Sequence, residues 1–99
     1  MITRIVSMQF RIGELARFLE LFADVRERIV HFPGCFALSL HRNAVCEEQL
    51  FTISLWESHE ALEAYRSSEL FKDTWLQTRQ LFSSSPVAWS LEEIQVFPK

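Results

Sequence analysis

Residues 51–65 read Phe51-Thr52-Ile53-Ser54-Leu55-Trp56-Glu57-Ser58-His59-Glu60-Ala61-Leu62-Glu63-Ala64-Tyr65, and the hydrophobic period changes inside them. Up to Trp56 the residues alternate. Phe51, Ile53 and Leu55 share one face, and Leu50, Thr52, Ser54 and Trp56 share the other, which is the period-two signature of a strand. From His59 onward Ala61, Leu62 and Tyr65 fall at helical spacing. Ser58 stands where an N-cap hydroxyl satisfies a free backbone N–H. The stretch therefore predicts a strand over Leu50–Trp56 that turns into a short helix over His59–Arg66.

The neighbouring segments extend this alternation of elements. Cys35 to about His41 alternates as a second strand, with Phe36, Leu38 and Leu40 against Cys35, Ala37, Ser39 and His41. Arg42–Glu48 reads as a polar connection, so the two strands form a hairpin. Phe32-Pro33-Gly34 ends a helix that runs from Gly13-Glu14 to about His31, because the residue before proline avoids helical geometry and glycine permits a turn. Leu15, Phe18, Leu19, Phe22, Val25 and Ile29 form its apolar stripe. Ahead of it, Ile2–Arg11 alternates as a first strand, with Val6, Met8 and Phe10 on the more apolar face and Arg4 and Arg11 read as solvated. Downstream, Ser67-Ser68 breaks the chain before a helix over Glu69–Phe82. Its stripe is Phe71, Trp75, Thr78 and Phe82. After Ser83–Pro86 a last strand is predicted from Val87 to about Val96. Its pattern changes face near Glu92-Glu93, a sign of a bend, a bulge or a departing arm.

The order β-α-β-β-α-β is the α+β, ferredoxin-like arrangement, a single domain over residues 1–99. It places a four-stranded antiparallel sheet under helices on one face. The strands nevertheless carry apolar residues on both faces, as in Ile5 beside Val6 and Ala37 beside Leu38. The uncovered face therefore calls for a partner, most simply a second copy.

Composition sharpens the same point. The 99 residues are 48% hydrophobic and include nine Phe, three Trp and one Tyr. A domain of this size hides roughly two-thirds of the surface its unfolded chain exposes. The aromatic surplus must therefore end in an interface or a ligand cavity. Ten Lys and Arg against thirteen Asp and Glu leave a net charge of −3, without the basic footprint that nucleic-acid binding requires. No uninterrupted apolar run marks a signal peptide or a membrane span, so the expected setting is the cytoplasm. Cys35 and Cys46 are too few for a disulfide framework and have no base nearby in sequence, so they read as inert reduced thiols. No spacing of His and Cys suggests a metal, and two glycines cannot build a phosphate cradle.

The run from Phe51 to Tyr65 resembles the F-x-x-x-x-W-x-S-x-E-A-L signature of the antibiotic biosynthesis monooxygenase family. Arg66-Ser67-Ser68-Glu69-Leu70-Phe71 resembles its continuation, and Phe32-Pro33-Gly34-Cys35 its turn into the second strand. The resemblance spans almost the whole chain. It implies a homodimer of ferredoxin-like subunits packed sheet against sheet, a dimeric α/β barrel, each subunit with a cavity between sheet and helices. Some members oxidise phenolic or quinol compounds without metal or flavin, others degrade haem, and others isomerise. The haem-degrading branch uses an Asn in the first strand, a Trp where this chain has Tyr65, and an iron-ligating His where it has Trp75. Indole cannot ligate iron, so haem degradation is not expected.

The implied function is a cofactor-independent monooxygenase of a small aromatic, phenolic or quinol compound. The alternative is a ligand-binding dimer of the same fold without turnover, since fold alone does not fix reaction. Tyr65 and His41 are the catalytic candidates. The phenol of Tyr65 can hold a substrate oxygen, or its ring can simply fill core while the hydroxyl reaches water. His41 can serve as a general base for a phenolic proton, or be an exposed strand-end residue. Ser54, Phe71, Trp75 and Trp56 are the substrate-binding candidates. Their packing alternatives are helix–sheet core for Phe71 and Trp75 and an anchor of the strand-to-helix turn for Trp56. Trp89 can line the pocket or the dimer interface, with packing the preferred reading.

Overall fold

The computed structural model describes residues 1–99. Strand β1 (Ile2–Gln9) leads through a turn at Gly13 to helix α1 (Leu15–Val30). Strands β2 (Cys35–Asn43) and β3 (Cys46–Trp56) form a hairpin, followed by helices α2 (His59–Arg66) and α3 (Glu69–Thr78) and strand β4 (Val87–Glu92). The strands pair antiparallel in the order β2-β3-β1-β4. The ferredoxin-like α+β fold expected from the sequence is the fold observed, with the helices on one face.

Several boundaries differ from expectation, each for a local reason. The supposed connection Arg42–Glu48 is mostly strand, and only Ala44 and Val45 form the turn. Asn43 closes it: its Oδ1 accepts from the Val45 N–H at 2.9 Å and its Nδ2 donates to Gln49 at 2.8 Å. The polar side chains that suggested a loop lie on a solvated hairpin end. Regular β1 pairing stops at Gln9, and Phe10 then bridges to Phe82 alone. Helix α3 ends at Thr78 and tightens into one 3₁₀ turn, Arg79–Leu81, so Phe82 leaves the helix extended. Strand β4 stops at Glu92, where the face change was seen, and Ile94, Val96 and Phe97 are exposed beyond it.

A register shift at the start of β2 reverses one assignment. Cys35 pairs with Trp56, and Ala37 with Leu55, so Phe36 is an extra residue in the ladder. Such a bulge shifts the alternation by one. Cys35 therefore packs beside Trp56 and Leu62, on the helix side with Leu38, rather than on the Ala37 face.

Gly34 fixes the turn before it. Its φ is +87°, and a Cβ there would lie 2.5 Å from the Ala61 Cβ of α2. The Gly34 carbonyl also accepts from the Glu57 N–H at 2.8 Å. This one residue thus docks the α1–β2 turn onto the β3–α2 turn.

The helix-side face of the sheet holds two separate cores. At one end Met8, Phe10, Phe18, Leu50 and Leu81 are buried together. At the other end Ile2, Trp56 and Leu62 are. The opposite face carries Ile5, paired across the sheet with Ile53 and with Trp89, beside Phe51, Leu55, Val87 and Leu91. Val87, Trp89 and Leu91 on that face are each about half exposed, so the chain by itself leaves the face uncovered.

Candidate functional site

The gap between the two cores is a cavity of about 280 Å³ between sheet and helices. Its floor is the middle of the sheet: Arg4, Val6 and Met8 of β1, Thr52 and Ser54 of β3, Leu38 of β2 and Ala88 of β4. Its roof comes from α1, through Phe18, Phe22, Val25 and Ile29, and from α2 and α3, through Tyr65, Phe71, Thr74, Trp75 and Thr78. Each residue stands there by its element's period, two on the strands and about 3.6 on the helices.

Nine of the thirteen aromatic residues are gathered around this cavity in one unbroken series. Phe32 and Trp56 both meet Tyr65, with ring centroids 5.4 and 4.9 Å away. Tyr65 meets Phe71 at 5.3 Å, Phe71 stacks on Trp75 at 5.8 Å, and Trp75 meets Phe82 at 5.6 Å. Phe82 continues to Phe10, Phe18 and Phe22 at 5.4, 4.7 and 5.9 Å. Tilted and offset ring pairs at these distances are favourable beyond the area they bury. The series links the two cores and makes a stiff wall.

Few polar groups reach the cavity. The Trp56 indole N–H donates to Ser54 Oγ at 2.9 Å, so the Ser54 hydroxyl keeps its own proton to offer. Burial pushes the Tyr65 phenol well above its ordinary value, with a smaller contribution from Cys35. The shift favours the protonated phenol, a form that can donate a hydrogen bond but cannot take up a proton as a base. Burial likewise pushes the Cys35 thiol up, which disfavours its thiolate. Arg4 donates to Ser90 Oγ at 2.9 Å, and its proton affinity is lowered by burial first and then by the Arg66 cation. Arg66, also on the lining, is held by Glu63 at 3.1 Å.

The structure brings together Tyr65, Ser54, Phe71 and Trp75 on one cavity. Trp56 is fully buried one layer behind, stacked on Tyr65 and bonded to Ser54, so it positions both without lining the space. His41 is not part of the group. It pairs with Phe51 on the uncovered face and its Nε2 lies 2.8 Å from Ser39 Oγ. Strand alternation explains the separation, because His41 has the opposite parity to Leu38 and Leu40. Trp89 lies on that same uncovered face.

The reading of Arg4 as solvated is corrected: it is on the cavity floor, with Ser54 and Ser90 as its strand partners. The signal was present, since Arg4 shares parity with Ile2, Val6 and Met8, and a cation on an apolar strand face is unusual. Arg66 follows Tyr65 in the motif and has no sequence signal of its own. No group of three or more His, Cys, Asp and Glu side chains comes together as a metal site, and no helix is long and apolar enough to cross a membrane.

The family model for antibiotic biosynthesis monooxygenases matches residues 1–75. No curated protein sequence matches the chain. Among solved structures, one described as an antibiotic biosynthesis monooxygenase superposes with a TM-score of 0.89 at 16% identity, covering 96% of this chain and all of the other. Rv0793 from Mycobacterium tuberculosis gives 0.88 at 17% identity, with 96% of each chain covered. A variant of SnoaB, a cofactor-independent oxygenase from Streptomyces nogalater, gives 0.86 at 18% identity, covering 99% of this chain and 97% of the other. At such identities the superpositions establish the fold. The match over residues 1–75, which contains Ser54, Tyr65, Phe71 and Trp75, establishes more: the chain belongs to the antibiotic biosynthesis monooxygenase family.

Proposed function

We propose that this protein is a monooxygenase that takes a small phenolic or quinol ring into the cavity and oxidises it with dioxygen. The observation that carries the reading is the aromatic wall around an apolar cavity whose polar groups are a few hydroxyls and two guanidiniums. The volume, about 280 Å³, is at the small end for ligand sites. It suits one or two fused rings better than an extended polycycle.

The chemistry follows from those groups. Tyr65, protonated, donates to a substrate oxygen, and Ser54 offers a second donor. The lining contains no carboxylate and no imidazole, so no side chain there is a conventional base. Ionisation of the substrate is favoured instead by the two guanidinium charges of the lining, Arg4 and Arg66 together, which exceed a single bound anion and lower the phenol's pKa. The electron-rich anion reduces dioxygen, and recombination forms a C–O bond as a hydroperoxide. Cleavage of the O–O bond with loss of water leaves a carbonyl, so that the ring carbon beside the phenol oxygen, a CH₂ in the keto tautomer, and O₂ become C=O and H₂O. The electrons come from the substrate's own C–H bonds, and the balance requires no flavin or metal. The description of the Streptomyces nogalater relative as a cofactor-independent oxygenase agrees with this.

We further infer that the uncovered sheet face is closed by a second copy of the chain. The support is the apolar row Ile53, Ile5 and Trp89, flanked by Leu55, Phe51 and Leu91.

A second reading, binding without turnover, is favoured by the lack of a lining base. Oxygen uptake measured with benzene, naphthalene and anthracene hydroquinones separates the two. The expected result is protein-dependent uptake, highest for the one- and two-ring compounds. Tyr65→Phe should reduce kcat/KM by about tenfold or more, as for loss of a hydrogen bond to a developing charge. Uptake equal to that without protein, with a compound that raises Tm and is recovered unchanged, would establish binding alone.

A further inference from the structure

The cavity is electropositive in a chain that is acidic overall. The net charge is −3, yet the ionisable groups on the lining are Arg4, Arg66 and the neutral phenol of Tyr65. Arg66 has a partner in Glu63, at the rim. Arg4 takes part in none of the molecule's five ion pairs, and its one side-chain partner is the neutral hydroxyl of Ser90. A guanidinium has five N–H donors in a planar fork that fits a carboxylate in two-point contact. Glu63 is the one carboxylate whose charge reaches Arg4, and it is already paired with Arg66, so a partly buried guanidinium is left without a direct anionic partner. The closeness of the two cations is what depresses the proton affinity of Arg4 after burial. An acidic protein repels polyanions at large, so the local positive site favours a small anion.

We propose that the ligand is an aromatic carboxylate, a one- or two-ring phenol or quinol whose carboxylate is held by the Arg4 fork, with Arg66 closing over it from the rim. This rests on the cavity being the site of the proposed reaction, and it narrows the substrate class from neutral quinols to quinol and phenol acids. The ring lies against Phe71 and Trp75, and the ring hydroxyl reaches Tyr65 or Ser54.

The test uses 2-naphthoate and its neutral isostere 2-naphthamide, neither of them an oxidisable quinol, with binding followed by calorimetry. The naphthoate should bind about tenfold or more tightly than the amide, in keeping with a charge-assisted hydrogen-bonded pair. Arg4→Gln should bring acid and amide to the same affinity, abolishing that preference. Arg66→Gln, a substitution at an exposed helix end, should reduce it by about threefold, as expected for a solvent-screened charge. If Arg4→Gln does not fold, Arg4→Lys keeps the charge and loses the fork, and should reduce the ratio of naphthoate to amide affinity. Equal binding of acid and amide, or a preference that survives loss of the guanidinium, would overturn the proposal. Naphthoate preference without oxygen uptake from any quinol would support it and sink the monooxygenase reading. Uptake with neutral quinols but no naphthoate preference would do the reverse.

Discussion

Tyr65 is the only tyrosine in the chain, so its ionisation can be read directly by phenolate absorbance. Burial raises its folded pKa above the unfolded value near 10. The folded state therefore holds the proton more tightly than the unfolded one. The stability this provides is complete below about pH 10 and is lost as pH rises toward the folded value. The expected result is a phenolate signal that appears only as the protein unfolds in alkali, with a shallower fall of Tm above pH 10 in Tyr65→Phe. A phenol titrating near 10 in folded protein would contradict its burial. Ser54→Ala tests the adjacent bond. It leaves the Trp56 N–H, in a fully buried residue, without its acceptor. The expected cost is about 1–3 kcal/mol in urea unfolding. Tyr65, Ser54, Phe71 and Trp75 were legible in the sequence because their place in a strand–helix motif carries position with it. Arg4 shows that strand parity outweighs charge in setting the face of a residue, since it shares the parity of Val6 and Met8. His41 has the chemistry of a base but the opposite parity, which puts it on the other face.

The elements were legible where the hydrophobic period is strong, and their ends were not. The switch at Trp56–Ser58 is unambiguous, because the Ser58 Oγ accepts from the Ala61 N–H and the apolar spacing changes at the same place. The hairpin end was hidden, because Arg42, Asn43, Glu47 and Glu48 are polar for reasons of solvation while their backbone pairs. The bulge at Phe36 was hidden as well, since an extra residue in a ladder leaves no compositional trace. Two glycines make a quantitative test of the turns. Both have positive φ, but only Gly34 faces another element. Gly13→Ala should cost about 1 kcal/mol, the backbone term alone. Gly34→Ala should cost about 3 kcal/mol or more, because a methyl must also displace Ala61. Equal effects in thermal unfolding would contradict the docking of the two turns.

At the scale of the molecule, the aromatic surplus resolves into two parts. One is the series from Phe32 to Phe22 that joins the two cores around the cavity. The other belongs to the open sheet face, with Phe51 and Trp89. That division could not be read from composition, which counts residues without assigning faces. If the open face closes on a second copy, light scattering should give twice the mass of one chain. Trp89→Glu should then shift it toward monomer without loss of helical signal, whereas an unchanged mass would count against that face as the interface. Oxygen transfer in the cavity is decided by the fate of dioxygen itself. Turnover of a one- or two-ring quinol under ¹⁸O₂ should place one labelled atom in the product and the other in water. A product without the label, or labelled only from H₂¹⁸O, would contradict oxygen transfer in the cavity.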